Sequence, residues 1–224
     1  MARDRQLAHT AGPGQSTATA APSWGRRLRA WLGGPGARRD AARALYLALV
    51  AQARLPVFYA DWNVPDSRDG RLEMVGLHAI LVMRRLRTEG RAGQALAQAL
   101  FDVMFRDVDH HLREWGVGDL SVGKQVKTLA HNFLGRAETL DPLLDGSDPP
   151  RLATVLQRNV YSDGSPPAPE SVARLADYLC RQRRWLDDLD GPELLAGQVR
   201  FMPPAGADSP AVGQSRVDPS RGRP

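Results

Sequence analysis

A chain of 224 residues that is 42% hydrophobic and 25% charged is long enough to bury one substantial core and has the composition of an ordinary globular protein. Its formal net charge of +5 is concentrated at one end: residues 1–39 carry seven arginines (Arg3, Arg5, Arg26, Arg27, Arg29, Arg38, Arg39) against Asp4, which leaves the rest near neutral and excludes a folded body with an overall pull towards nucleic acid. Cys180 is the only cysteine, excluding an intrachain disulfide or multi-cysteine metal site, and the longest apolar runs, residues 44–51 and 74–83, fall short of the roughly 20 residues of a membrane span.

Residues 1–23 are rich in Ala, Gly, Ser, Thr and Pro without hydrophobic period, and residues 203–224 share that character. The tails 1–37 and 203–224 are therefore expected to be mostly disordered. The first tail has no continuous apolar core ahead of a cleavage site, so it is not a secretory signal; its Arg-rich, acid-poor composition is one that organelle transit peptides share. Within it, residues 24–32 can place Trp24, Leu28 and Trp31 along one side of a short helix, with Arg26 and Arg27 away from it. This suits contact with a membrane surface, docking of the tryptophans on the folded body, or arginine contacts with RNA phosphates.

From 38 to 202 apolar residues recur at helical spacing and no run alternates as a half-buried strand does, which predicts an all-α domain. A first helix is expected over 38–54, ended by Pro56, which disfavours helical geometry at Leu55. After a connector with Tyr59, Trp62 and Pro65, a second helix should begin near Gly70 with Asp69 as its cap. Its wide apolar face (Leu72, Val75, Ala79, Val82, Met83, Leu86) marks it as central. The third, over 93–115, carries Leu100, Phe101, Met104, Phe105, Val108, Leu112 and Trp115 at steps of three and four, and Gly116 fits the left-handed position that ends a helix. A fourth, capped by Asp119 or Ser121, runs to Asp141-Pro142, and weaker patterns over 150–160 and 169–189 supply a fifth and sixth. Loop lengths then give a single six-helix, irregular antiparallel bundle.

Three constellations invite chemistry. Residues 118–125, GDLSVGKQ, imitate a phosphate-binding loop, but Gln125 replaces the magnesium-binding hydroxyl and a helix, not a buried strand, precedes it; the match is read as chance. Asp107, His110, His111 and Glu114 stand at i, i+3, i+4 and i+7, a spacing that can hold a divalent metal. No second helix supplies a paired ligand motif, so a solvated face is the reading, with a helical metal-binding enzyme as the alternative. His78, alone on an apolar helix, reads as a core histidine bonded through a ring nitrogen, and Cys180 as a small core filler. No catalytic residue, metal site or cofactor is assigned.

The flanks of the two connectors, QARLPVFYADWNVPDSRDGRLEMVGLHAILVMRRL and LFDVMFRDVDHHLREWGVGDLSVGKQVK, resemble the ubiquinol–cytochrome c chaperone family over roughly residues 38–160. The likeness is most specific in three blocks: Gln52-Ala53-Arg54 with Phe58-Tyr59; Val64-Pro65-Asp66 through Gly70-Arg71-Leu72-Glu73 to His78; and Leu100-Phe101-Asp102 through Arg113-Glu114 to Gly116-Val117-Gly118-Asp119. Leu72, Trp115 and Leu134 stand where the pattern has Phe, Met and Tyr, and keep its hydrophobic character.

The resemblance implies a non-enzymatic assembly chaperone that binds newly made cytochrome b or a related subunit during biogenesis of the respiratory bc complex, in some relatives beside the ribosome, without DNA. It implies a partner surface around the 56–71 connector and the 116–127 turn, with Tyr59, Asp66, Arg71, Asp109, Arg113, Asp119 and Lys124 as candidates. Capping is the competing role, and the better one for Asp69 and Asp119. The expected place is the bacterial cytoplasm, peripherally at the inner face of the plasma membrane, or the mitochondrial matrix and inner membrane in a eukaryotic host. An RNA- or ribosome-binding protein acting through the Arg-rich tail is a further alternative.

Overall fold

The structure, a computed structural model, describes residues 34–162 and 167–205. The segment with Trp24, Leu28 and Trp31, and all but the ends of the two tails, lie outside the described residues. In chain order the helices are α1 (Pro35–Ala53), α2 (Pro56–Ala60), α3 (Arg68–Arg87), α4 (Gly90–Glu114), α5 (Asp119–Leu140), a 3-10 turn (Asp141–Leu143), α6 (Pro149–Val160), α7 (Pro169–Asp187) and α8 (Gly191–Leu195). Among the described residues all regular structure is helical. The six expected helices are present, and two five-residue helices join them.

Local chemistry explains most boundaries. Pro56, Pro149 and Pro169 each open a helix, where a fixed φ is helix-ready and a missing N–H leaves nothing unsatisfied. Leu55 before Pro56 is extended, as expected, and Gly116 takes the left-handed conformation at φ +81 after α4. Two expected caps are corrected. α3 begins at Arg68, and Ser67, not Asp69, is its cap, its hydroxyl accepting from the Gly70 amide at 3.1 Å. α5 is preceded by Gly118 and has no side-chain cap; Asp119 is its first residue and Ser121 lies in its first turn. Residues 119–125 are therefore helix, and the imitation of a phosphate loop disappears.

Gly70 is demanded by packing. A Cβ there would overlap the carbonyl oxygen of Pro65, so the connector folds back onto α3 only because residue 70 has no side chain.

α3 is the central helix and packs against α1, α4, α6, α7 and α8. It is buried nearly all round, through Met74, Leu77, Ala79, Ile80, Leu81, Val82 and Leu86. The main core joins these to Leu45 and Leu49 of α1, Leu96 and Leu100 of α4, Leu152 and Leu156 of α6, and Leu175 and Leu179 of α7. Cys180 fills part of it, at 9% exposure. α5 is attached differently. Its second half enters the main core through Phe133, Ala137 and Leu140, with Phe133 packed against the Phe101 and Phe105 rings of α4 and Arg136 paired with the mostly buried Glu73. Its first half meets α4 through a separate small cluster of Val108, Leu112 and Val122.

At the middle of α3, His78 is fully buried. Its Nδ1–H donates to the Met74 carbonyl at 2.7 Å, so Nε2 accepts from the Tyr178 hydroxyl at 2.8 Å, and that hydroxyl accepts from Gln52 Nε2 at 2.9 Å. Burial lowers the imidazole pKa from 6.5 to about 4, against an upward pull from the Met74 carbonyl.

Two expectations follow. Gly70→Ala should destabilise the fold by more than about 2 kcal/mol in urea denaturation, because the connector must leave α3; an unchanged midpoint would contradict the contact. Between pH 6.5 and 4 the unfolded chain takes a proton on His78 and the folded chain does not, so stability falls as pH falls through that window. Wild type should lose roughly 3 kcal/mol relative to His78→Gln there, and a pH-independent difference would rule the mechanism out.

Candidate functional site

An open groove of about 620 Å³ runs between α1, α3, α4 and the first half of α5. It exists because that half of α5 stands apart from the main core, resting on α4 through the small cluster and the Arg113–Asp119 pair. Val50, Leu72, Val75, Val108, Leu112 and Leu129 give it an apolar floor, and Trp115, 47% exposed, closes one wall. Arg54, Arg68, Arg71 and Lys124 stand around it with Asp69 and Asp107.

The structure gathers the seven sequence-derived candidates into two clusters and one single residue. Tyr59, Asp66 and Arg71 form the first: Arg71 Nε donates to Asp66 Oδ1 at 2.5 Å, the guanidinium lies 5.4 Å from the centre of the Tyr59 ring, and the Tyr59 hydroxyl donates to the Ala53 carbonyl at 2.8 Å. The Asp66 hydrogen bond raises the Arg71 pKa, and burial pushes the Tyr59 phenol up. Asp109, Arg113 and Asp119 form the second. Arg113 reaches Asp109 within α4 at 2.8 Å and Asp119 across the Gly116 corner at 2.5 Å. The hydrogen bond from Arg113 holds the Asp109 carboxyl below its ordinary value. Lys124 stands by itself on the α5 wall. Of the seven, only Arg71 and Lys124 line the groove.

The metal constellation divides into pairs. His110 faces Glu114 at 3.3 Å, whereas His111 donates through Nδ1 to the Asp107 carbonyl at 2.8 Å. Among the described residues no three His, Cys, Asp or Glu side chains converge as a metal site would require. Asp107 is tied to α1, because the mostly buried Tyr46 hydroxyl donates to its Oδ2 at 2.5 Å. Desolvation, then that hydrogen bond, raises the Tyr46 pKa.

Sequence reasoning missed the role of Tyr46, Val50, Leu72, Val75 and Leu129 in one groove. Their helical period announces an apolar face but not which part of that face stays uncovered. Trp115, just past the end of α4, packs under the Arg68 guanidinium, 4.8 Å from the ring centre, a contact that sequence spacing does not announce.

The family described as ubiquinol-cytochrome C chaperone matches residues 60–201. The chain belongs to that family. The match starts beyond the Gln52-to-Tyr59 block and continues past residue 160 through α7 and α8, so the likeness reaches further towards the C-terminus than the connectors suggest. Among curated relatives, the ubiquinol-cytochrome c reductase complex assembly factor 1 of Mus musculus is 26% identical over 73% of this chain and 55% of its own length. The protein of that name from Xenopus laevis is 25% identical over 77% of this chain and 86% of its own. This chaperone-family chain thus spans about half the length of the mouse relative. Among solved structures, the Cbp3 homolog from Brucella abortus is similar with a TM-score of 0.70 and 36% identity, over 81% of this chain and 99% of that one.

If Tyr46 and Asp107 hold α1 against α4 beneath the groove, Tyr46→Phe should lower the unfolding free energy by about 1–2 kcal/mol. Urea denaturation measures it, and an unchanged midpoint would show that the contact carries no load.

Proposed function

We propose that this chain is a non-enzymatic assembly chaperone that binds newly made cytochrome b, or a closely associated subunit, while the respiratory cytochrome bc complex is built. Membership of the ubiquinol-cytochrome C chaperone family supports this, with relatives named as assembly factors of the ubiquinol-cytochrome c reductase complex. The observation that carries it is the groove. It offers apolar surface ringed by charge, as a surface for another polypeptide does, and several of its ionisable groups are engaged within the chain: Asp107 by Tyr46, Arg71 by Asp66, and His111 by the Asp107 carbonyl, its Nδ1 lying also 3.4 Å from the Asp107 carboxylate. Binding alone needs no covalent step.

No helix among the described residues is long and apolar enough to cross a membrane. In this proposal a client in the bilayer is reached from its surface, with Trp24, Leu28 and Trp31 of the N-terminal segment as the peripheral attachment. The cytoplasmic side of a bacterial plasma membrane is the place this implies.

The test is removal of the gene from its host. Spectroscopically measured b-type haem and quinol–cytochrome c reductase activity in membranes should both fall and be restored by the full chain. Normal levels of both in the deletion strain would end the proposal.

A further inference from the structure

The groove is walled on every side by helices α1, α3, α4 and α5. With no sheet edge among the described residues to pair with an extended peptide, the fitting mode is a helix laid in a groove, read through anchors at i, i+3, i+4 and i+7.

Charge decides which helix. Several arginines elsewhere on the body are matched, Arg84 by Asp141 and Asp187, Arg85 by Glu89, Arg113 by Asp109 and Asp119, and Arg136 by Glu73; what sets the groove apart is that its unmatched cations border apolar surface. Around the groove, Arg54, Arg68 and Lys124 are exposed and have no acidic partner among the described residues. The acid facing them from α4, Asp107, is already bonded to Tyr46. Asp69, also on the rim, is exposed without an ion pair among the described residues, so three unmatched cations face one unmatched carboxylate and the rim is net positive over an apolar floor. The chain's own segment 24–32 has hydrophobic residues to offer but brings Arg26, Arg27 and Arg29, the same sign as the rim, so charge argues against self-occupancy.

We infer that the groove seats an amphipathic helix of a partner protein with an acidic border, its aliphatic side chains on the Leu72–Leu112–Leu129 floor and its carboxylates at Arg54, Arg68 and Lys124. This names the partner chemistry of the surface on which the assembly-chaperone reading rests. The cations steer the acidic helix in and set its register, while the floor supplies most of the affinity.

The probe is a fluorescein-labelled peptide of about 15 residues, with leucines at i, i+3, i+4 and i+7 and glutamates along both borders. Its anisotropy is followed on titration with the full chain. Saturable one-to-one binding is expected, weakened at least about tenfold by Arg68→Glu with Lys124→Glu, equivalent to about 1.4 kcal/mol. The same peptide with lysines for glutamates should bind wild type poorly and the double variant better. The substituted positions are exposed, and circular dichroism checks that the fold is kept. Equal binding of both peptides, no binding of either, or indifference to the double variant overturns the inference.

A photo-crosslinker at Gln125 in the cell reports the natural occupant. Capture of an acidic amphipathic segment of another protein supports the inference; crosslinks to residues 1–33, to a second copy or to lipid overturn it. If the groove behaves as expected but gene deletion spares the bc complex, the surface stands and the assembly role falls. If deletion removes the complex but groove variants restore it fully, the reverse holds.

Discussion

A neutral imidazole at the centre of the bundle sets the arrangement of the rest. His78 is wholly buried, and desolvation keeps it uncharged well into the acid range, so one ring nitrogen must donate and the other accept. That polarity runs outward: the Met74 carbonyl takes the donor, Tyr178 of α7 supplies a proton to the acceptor, and Gln52 of α1 supplies one to Tyr178. Gln52 also donates to the Met202 carbonyl, and Gln182 binds both the amide and the carbonyl of Met202, so the C-terminal segment is drawn into the same network. Phe58 and Trp62 pack edge-on against Tyr178 and exclude water from it. Apolar faces can slide past one another with small penalties; a chain of buried hydrogen bonds cannot, because each mismatch leaves an unpaired group in a low dielectric. The register of α1, α3 and α7 is therefore fixed by polar atoms inside an apolar core.

α5 stands outside that lock. It is fastened at its far end by Phe133 and the Glu73–Arg136 pair and at its near end by the buried Val122 and the Arg113–Asp119 pair, with only the partly buried Val126 and Leu129 between. Burial raises the Glu73 carboxyl pKa, and the Arg136 charge and hydrogen bond pull it back down, so the pair offsets part of the cost of burying the carboxylate. Two fixed ends with an uncovered middle leave the groove as a geometric consequence.

The helices were legible because their periodicity is a local property: the stripe from Leu100 to Leu112, the Pro56 break after the first helix and the Gly116 stop need no knowledge of the rest of the fold. The caps were less so. Ser67 and Asp69 are both competent oxygen acceptors, and the choice between them is made by the approach of Pro65 to Gly70, a contact the sequence does not announce. The α2 turn escaped notice because five residues show no period, although Tyr59 ties it to the end of α1 through the Ala53 carbonyl. The metal-like spacing on α4 put four groups on one helix without saying that each had a nearer partner. The candidate site was half legible: charged residues at the corners stood out, whereas the apolar floor between them looked like any other core face.

That division has a physical reason. Asp66 with Arg71, and Arg113 with Asp109 and Asp119, neutralise one another at the two corners, and exposed pairs of this kind contribute little net stability while fixing local geometry. A charge already matched within the chain has little left for a partner. Arg54, Arg68 and Lys124 belong to no such pair, and they sit where the apolar floor meets solvent. There their positive potential favours a molecule that brings both aliphatic surface and negative charge to a floor that is only partly exposed, through Val50, Leu72 and Leu129. By charge alone such a border disfavours the chain's own Arg-rich segment, and the same rule states the chemistry inferred for its occupant.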